Sequence, residues 1–311
     1  MNALTLRNAH PVPSILANAG ENAATKFLEF FAARIRNLNT REAYARACPQ
    51  FLAWSENHVD DLRLITPIHV AAYIEQHPGS PQTIKQHLAA IKMLFDYLVI
   101  SQIVPTNPAA PVKGPTHVVK RGKTPVLSVE DTRALLNSVS TDSLQGLRNR
   151  ALISVMLFSF ARVSAVLGMR VSDFYENGRR RWFRLFEKGD KHHEVPVHHK
   201  AQDYVAEYLE KAGFGPNVPL FQTFRKKMPT GRAMSRSEAY RMIRRRALDA
   251  GVLAPVCCHS FRATGITVYL ENKGTLETAQ RIAAHESPRT TKLYDRTDDQ
   301  LTLDEIEKIS V

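Results

Sequence analysis

Two histidines, an arginine and a tyrosine in the last sixth of the chain have types and spacings that suit phosphate chemistry. His259 and Arg262 are three residues apart, so on a helix they share one face. A second helical segment, 276–284, leads into His285, and Tyr294 follows nine residues later. Arginine binds phosphate oxygens through two donors, and tyrosine can act as a nucleophile. Each motif alone is more often structural than catalytic, so the rest of the chain decides between these interpretations.

Residues 21–105 are patterned as a helical domain, and residues 1–20 before them are predicted to be a flexible arm. Apolar residues recur at helical spacing over 24–56, where Thr40 is a predicted N-cap. Two further helices are expected where Ser or Thr precedes Pro, at Thr66 and Ser80. The aromatic residues fall on the apolar stripes, so we interpret them as core.

Residues 106–125 are interpreted as a basic linker between two domains. Counted from Pro105, the stretch holds five prolines, a density that excludes a helix or a central strand. It also contains Lys113, Lys120 and Arg121, which could lie along a phosphate backbone.

A second domain is predicted over 126–311. Its apolar run, 147–168, contains Arg162, and a charge in a buried segment needs a partner or a function. Two strands, 182–186 and 194–198, are predicted to flank a turn. The tip of that hairpin would carry a lysine, either Lys188 or Lys191.

The charge balance predicts a polyanionic partner. The formal net charge is +12 and the isoelectric point is about 9.7, which favours nucleic acid over a membrane surface. A late helix has more arginines than solubility needs, so it is predicted to face phosphates. The residues predicted to contact DNA are Lys85, Lys113, Lys120, Arg121, Arg241, Arg244 and Arg245.

Cysteine usage and hydropathy predict a cytoplasmic protein. The three cysteines do not make a disulfide framework, and no apolar run is long enough to span a bilayer. The first residues lack the apolar core of a signal peptide. The histidine pairs at 192–193 and 198–199 are interpreted as exposed strand and turn residues, so no metal site is predicted.

These residues resemble one family, the tyrosine recombinases, also called the phage integrase family. Residues 21–105 are similar to its helical core-binding domain, and residues 126–311 are similar to its catalytic domain. The stretches FARVSAVLG, EKGDKHHEVP, HSFRATG and AAHESPRTTKLYDR resemble its catalytic boxes, in the family's order and spacing. The catalytic residues implied by the resemblance are Arg162, Lys188, His259, Arg262, His285 and Tyr294.

One position departs from the family pattern. The family usually has Asp or Glu three residues after its first arginine, where this chain has Ala165. In relatives that acid orients the site and balances its charge, so the departure bears on efficiency more than on the type of reaction. In the hairpin, Lys188 fits the position of the catalytic lysine, and Lys191 stands close by.

The resemblance implies a mainly α fold, with a helical DNA-binding domain and an α+β catalytic domain with a small antiparallel sheet, together clamping DNA. Tyr294 would form a 3'-phosphotyrosyl link, with Lys188 as general acid, before a hydroxyl of another strand reverses the attack. No ATP, metal or other cofactor is implied. The partners would be double-stranded recombination sites and three more copies of the chain, held through a tail helix with Leu303, Ile306 and Ile309 on one side, at the bacterial nucleoid.

Two other interpretations stay open. A recombinase homologue with weakened catalysis, acting mainly by binding DNA, would account for Ala165. An enzyme similar to type IB topoisomerases would share the nucleophile chemistry without exchanging partners, but would not need the amphipathic tail, 301–311. A metal-dependent nuclease fits less well, because the motifs contain no clustered carboxylates.

Overall fold

The computed structural model describes residues 13–116, 122, 124–187 and 191–295, and the chain divides between Val118 and Val119 into two compact units. Both units are dominated by helices, and the described strands form two small antiparallel sheets in the second unit. The predicted fold class, mainly α with a small antiparallel sheet, is confirmed. Within these ranges no helix has the length and apolarity needed to cross a bilayer.

The first unit is a helical bundle. Its helices are α1 (Ser14–Asn18), α2 (Glu21–Ala33), α3 (Leu38–Ser55), α4 (Pro67–Gln76) and α5 (Pro81–Ile100). Helix α5 starts as predicted, because Ser80 Oγ accepts from the Thr83 N–H and Pro81 occupies the first turn. The prediction of Thr40 as an N-cap is wrong: Asn37 caps α3 by accepting the Thr40 N–H.

The core of the first unit includes residues from the predicted arm and from the predicted linker. Within the predicted arm, α1 buries Ile15 and Leu16 completely, because both are apolar and meet the core of the bundle. Within the predicted linker, Ala109 and Val112 are buried in the same core. Asn107 also donates to the Lys92 carbonyl at 3.0 Å, which ties the proline-rich stretch to α5.

The second unit surrounds a buried helix. Its helices are α6 (Val129–Asn137), α7 (Leu144–Ser159), α8 (Val163–Gly168), α9 (His199–Ala212), α10 (Arg236–Asp249), α11 (Cys258–Glu271), α12 (Leu276–Ile282) and α13 (Pro288–Lys292). Its strands are β1 (Phe174–Asn177), β2 (Arg180–Glu187), β3 (Lys191–Pro196), β4 (Gln222–Arg225) and β5 (Met228–Ala233). Helix α7 is buried on nearly all faces, as its apolar sequence predicted, and packs against α9 and α11.

The sheets differ in detail from the prediction. Strands β1, β2 and β3 pair in that order, so the predicted hairpin exists and gains a third strand. Strand β3 ends at Pro196 rather than His198, because the His198 side chain caps α9 by accepting the Lys200 N–H. The small β4–β5 hairpin was not predicted, since its strands are short and mostly exposed.

A close contact at Gly265 fixes the position of α11 relative to the end of α7. Gly265 of α11 lies so near the Leu157 carbonyl that an added Cβ would overlap its oxygen and would lie 2.7 Å from the Phe160 ring. Only glycine therefore allows these two helices to approach to this distance.

We expect Gly265→Ala to lower the free energy of unfolding by roughly 1–3 kcal/mol, because the new methyl group overpacks a rigid backbone contact. Alanine is normally the better helix former, so the sign opposes propensity. Gly168→Ala is the matched control, since nothing lies within 4 Å of the added Cβ at that position. Urea unfolding of both variants tests this, and equal stability of the two would contradict the assigned contact.

Candidate functional site

A buried guanidinium joins three segments of the second unit. Arg262 stands in α11 with only 1% of its surface exposed. Its Nη1 donates to the Phe160 carbonyl at the end of α7, and its Nη2 donates to the Ala283 carbonyl at the end of α12, at 2.6 Å. Carbonyls at helix C-termini lack helical partners and carry partial negative charge, so they suit a cation. Arg262 therefore fixes two helix ends relative to α11.

The backbone beside these two carbonyls is left-handed. Phe160 has a φ of 55° and Ala284, directly after Ala283, has a φ of 47°. Neither residue is glycine, so each conformation costs about 1–2 kcal/mol. The hydrogen bonds from Arg262 help to offset that cost, and strain of this kind concentrates at functional sites.

His259 and Tyr294 share a short hydrogen bond. His259 lies in the first turn of α11, and its Nε2 lies 2.7 Å from the Tyr294 hydroxyl. Tyr294 follows α13 and is 8% exposed. Its own carbonyl accepts from Thr267 Oγ1 at 3.0 Å, so α11 holds both ends of the residue.

His285 completes the surroundings of the tyrosine. Its ring stacks on the Tyr294 ring, with centroids 5.8 Å apart and planes at 6°. Its Nδ1 lies 2.9 Å from Thr291 Oγ1, and both side chains are buried. The backbone N–H of His285 donates to the Gln280 carbonyl at 3.1 Å, which fixes the ring relative to α12.

Arg162 pairs with a buried carboxylate. It is the N-cap of α8, and its Nη1 lies 2.5 Å from Glu187 Oε2 at the end of β2. The side chain of Glu187 is 2% exposed, whereas that of Arg162 is 32% exposed. Arg162 thus has the partner that its apolar surroundings required, and it still presents part of its guanidinium to solvent.

Burial and the two arginines keep His259 and His285 neutral. Burial, followed by the charges of Arg262 and Arg162, lowers the pKa of His285 to about 3. Desolvation and the same two arginines lower the pKa of His259. Burial raises the pKa of Tyr294, although the two arginines oppose the shift. Burial and the Arg162 charge lower the pKa of Arg262 to about 10, so it remains a cation at neutral pH.

Five of the six residues predicted for the site lie in the described ranges. Arg262, Tyr294, His259, His285 and Arg162 come from four separate stretches of sequence and surround one position in the second unit. Lys188 lies outside the described residues. The alternative lysine, Lys191, is exposed at the start of β3, and its Nζ lies 2.7 Å from Glu286 Oε1, next to His285.

The described residues that were predicted to contact DNA are exposed on the surfaces of the two units. Lys85 on α5 and Lys113 are exposed on the first unit, and the arginines of α10 are exposed on the second unit: Arg241, Arg244 and Arg245. Lys120 and Arg121 lie outside the described residues, as does the tail helix over 301–311 with Leu303, Ile306 and Ile309.

Sequence reasoning missed two members of the cluster, Glu187 and Thr291. The available signal for Glu187 was the absence of an acid at Ala165, because an acid is expected to pair with Arg162. Glu187 directly precedes the predicted catalytic lysine, Lys188. Thr291 had no signal, because a Thr in a turn-like sequence is common. In the part of the chain that the structure describes, no three His, Cys, Asp or Glu side chains gather as a metal site would require.

Two family models match the chain. Residues 125–300, more than half of the chain, match the Phage integrase family, and residues 24–102 match the phage integrase N-terminal SAM-like domain. Among curated relatives, a tyrosine recombinase XerD of Listeria monocytogenes is 24% identical over 275 residues, covering 86% of this chain and 91% of the relative. A tyrosine recombinase XerC of Chlamydia pneumoniae is 28% identical over 267 residues, covering 83% and 82%.

Solved structures share the fold. A XerH site-specific recombinase bound to its difH substrate superposes with a TM-score of 0.70 at 21% identity, covering 88% of this chain and 80% of that one. A lambda integrase dimer bound to a core site gives a TM-score of 0.67 at 15% identity, covering 90% and 96%. The chain therefore belongs to the phage integrase family, the tyrosine recombinases, which cleave and rejoin DNA through a covalent tyrosine intermediate without metal or ATP.

Proposed function

We propose that this site-specific recombinase attacks a DNA phosphodiester with the Tyr294 hydroxyl. The observation that carries the proposal is the 2.7 Å contact between Tyr294 Oη and His259 Nε2, next to two arginines and a stacked histidine. The new bond joins Oη to phosphorus, the bond to the 5' oxygen breaks, and the product is a 3'-phosphotyrosyl link with a free 5'-hydroxyl. A 5'-hydroxyl from a different strand then attacks the link and releases the tyrosine.

The arginines are proposed to stabilise the charge that develops on the non-bridging phosphate oxygens. Arg262 uses one N–H of each terminal nitrogen for the helix carbonyls, and its buried Nε has no hydrogen-bond partner among the described residues. Arg162 approaches from α8 with its guanidinium partly exposed, so it can reach the same phosphate.

The histidines are proposed to act in their neutral forms. The lowered pKa of His259 leaves its Nε2 able to accept the tyrosine proton as the hydroxyl attacks. When Thr291 Oγ1 donates to His285 Nδ1, the Nε2 of His285 carries the proton and can donate to phosphate. The stacked ring also limits rotation of Tyr294, which holds the nucleophile in one orientation.

Lys188 is proposed as the general acid that protonates the leaving 5' oxygen. The proposal rests on the family resemblance and on its neighbour, because Glu187 bonds to Arg162 and so brings the end of β2 to the site. Lys191 suits the role less well, since Glu286 already engages its ammonium group.

The assembly is also a proposal. The two units are proposed to clamp double-stranded DNA, with the basic residues predicted above contacting phosphates and the tail over 301–311 docking on a neighbouring copy in a tetramer. Supporting it, XerH and lambda integrase share the fold and are described on DNA, the latter also as a tetramer on a Holliday junction. Such a protein would act in the cytoplasm, at the nucleoid.

A weakened, mainly DNA-binding homologue is the second candidate, and Ala165 is the observation that favours it. The described cluster argues against it, because the nucleophile, both histidines and both arginines have well-defined partners. Covalent attachment to DNA separates the two, and strand exchange between two sites separates a recombinase from a topoisomerase-like enzyme.

We expect Tyr294→Phe to abolish covalent attachment to a nicked suicide substrate while leaving DNA affinity within about twofold, because only the hydroxyl is lost. Tyr269→Phe, also on this unit, is the matched control and should form adduct normally. Denaturing gels detect the adduct, and adduct formation by the Tyr294 variant would overturn the proposed nucleophile.

The depressed pKa of His285 predicts loss of stability in acid. Its folded pKa of about 3 lies below the unfolded value of about 6.5, so between these values the unfolded state binds more protons. Stability contributed by neutral His285 is therefore complete above about pH 6.5 and is lost as pH falls, by up to about 1.4 kcal/mol per pH unit.

We expect the advantage of the wild type over His285→Asn in unfolding free energy to shrink by roughly 1–2 kcal/mol between pH 7.5 and 5.0. Urea unfolding at both pH values measures the difference, and His192→Asn, an exposed residue of β3, is the control. A difference that stays constant with pH would show that His285 is not held neutral.

The arginines of α10 should set much of the salt dependence of DNA binding, because Arg241, Arg244 and Arg245 share exposed faces of one helix. Replacing all three with alanine should reduce the slope of log affinity against log salt by about 2–3, near one for each phosphate contact. Lys211→Ala, an exposed lysine of α9, is the control. Fluorescence anisotropy over a potassium chloride series measures the slope, and an unchanged slope would place DNA elsewhere.

A further inference from the structure

The short helix α8 lacks an acid at the position where one would serve two purposes. Arg162 is its N-cap and Ala165 stands at its third residue. An acid at that position can accept the N-cap backbone N–H, and at a spacing of three residues it can also pair with the N-cap side chain. Ala165 is 3% exposed and can do neither.

Glu187 makes both of these contacts from another element. Its Oε1 accepts the Arg162 backbone N–H at 3.3 Å, and its Oε2 lies 2.5 Å from Arg162 Nη1. It reaches the helix from the last position of β2, opposite Lys191 in the hairpin register. One carboxylate thus caps the first turn of α8 and orients the arginine that begins it.

The electrostatics show why the carboxylate is needed. Burial lowers the pKa of Arg262 most, the Arg162 charge lowers it further and the Glu187 charge raises it, so the three groups act on one another. The charges of Arg162 and Arg262 repel each other, and the side chain of Glu187 is 2% exposed, so its buried charge needs a cation. Removing either partner of such a pair leaves an uncompensated charge in the site.

We propose that Glu187 is the positioning residue of this site and replaces, from strand β2, the acid that the family usually carries three residues after its first arginine. The inference rests on the proposed function, since it assigns the orientation of Arg162 for phosphate binding. Glu187 does not touch the reacting atoms: it holds the Arg162 backbone N–H and Nη1, and its one negative charge offsets one of the two guanidinium charges before DNA binds.

The pair also explains how this chain dispenses with an acid on α8. Glu187 directly precedes Lys188 in the sequence. The same ion pair therefore anchors Arg162 and the end of the strand that leads into the lysine. In a site with the acid on α8, these two elements would be held separately.

The opposite role is also testable. If Glu187 instead occupied the edge of Arg162 that phosphate needs, removing it would free the arginine and accelerate cleavage. The two roles predict opposite signs for the same variant.

The experiment measures single-turnover adduct formation on a suicide substrate together with DNA affinity. Glu187→Gln should slow adduct formation roughly 10- to 100-fold, the range seen when an outer partner of a functional group is lost, with affinity within about threefold. Glu194→Gln is the matched control, because Glu194 is an exposed acid of the same hairpin that pairs with Arg184 at 3.2 Å. It should react at the wild-type rate.

Two further variants separate positioning from general support of the fold. Adding Ala165→Glu to Glu187→Gln should recover at least about tenfold of the lost rate, since it returns an acid to the first turn of α8. In an Arg162→Lys background, Glu187→Gln should cost less than about threefold, because a residue that acts through Arg162 has little left to act on. Full additivity of the two changes, or faster cleavage by Glu187→Gln, would overturn the proposal.

A readout that needs no reaction tests the pair itself. The ¹⁵N–¹H signal of the Arg162 Nε–H is assigned by its loss in Arg162→Lys. It should be sharp in the wild type, exchange-broadened in Glu187→Gln and sharp again when Ala165→Glu is added to Glu187→Gln. An unchanged signal would overturn the proposal. If the wild type forms no adduct but shows these signals, the proposed function would be contradicted while the Glu187–Arg162 pair would still be supported.

Discussion

The site depends on the hydrogen bonds from the buried Arg262 guanidinium to two helix ends. Burying a charge is expensive unless its hydrogen bonds are satisfied, and here the free carbonyls at the ends of α7 and α12 provide them. The approach of α7 to α11 at Gly265 brings the first of these carbonyls within reach. Arg262 therefore holds the ends of α7 and α12 against α11. His259, one turn earlier on α11, contacts the Tyr294 hydroxyl.

The charges around Arg262 support the proposed binding of a phosphate. Burial and neighbouring arginines keep both histidines neutral, so the net charge comes from the two guanidinium groups and Glu187. The neutral His259 is ready to accept the proton of a tyrosine whose own pKa is raised by burial. In the proposed reaction, the groups that bind phosphate and accept the tyrosine proton therefore already have the charge states they need.

Local sequence predicted most helices and the convergence of the site residues, but not the contacts that orient them. The apolar period identified α5 and α7, and the spacing of His259, Arg262, His285 and Tyr294 indicated a shared target. The partners of these residues come from distant positions: Glu187 reaches Arg162 across 25 residues, and the Phe160 carbonyl reaches Arg262 across 102. No local period reports such pairs. The short helix α1 was not predicted for a related reason, because its two buried residues are too few to form a recognisable apolar period.

Together these groups are proposed to form one active site whose nucleophile is Tyr294. The most direct measurement is to trap the protein on a suicide substrate, digest the complex with protease and identify the DNA-linked residue by mass spectrometry. We expect a 3'-phosphotyrosyl bond on the peptide that contains Tyr294. A bond to any other residue, with Tyr294 recovered unmodified from the same complexes, would contradict it.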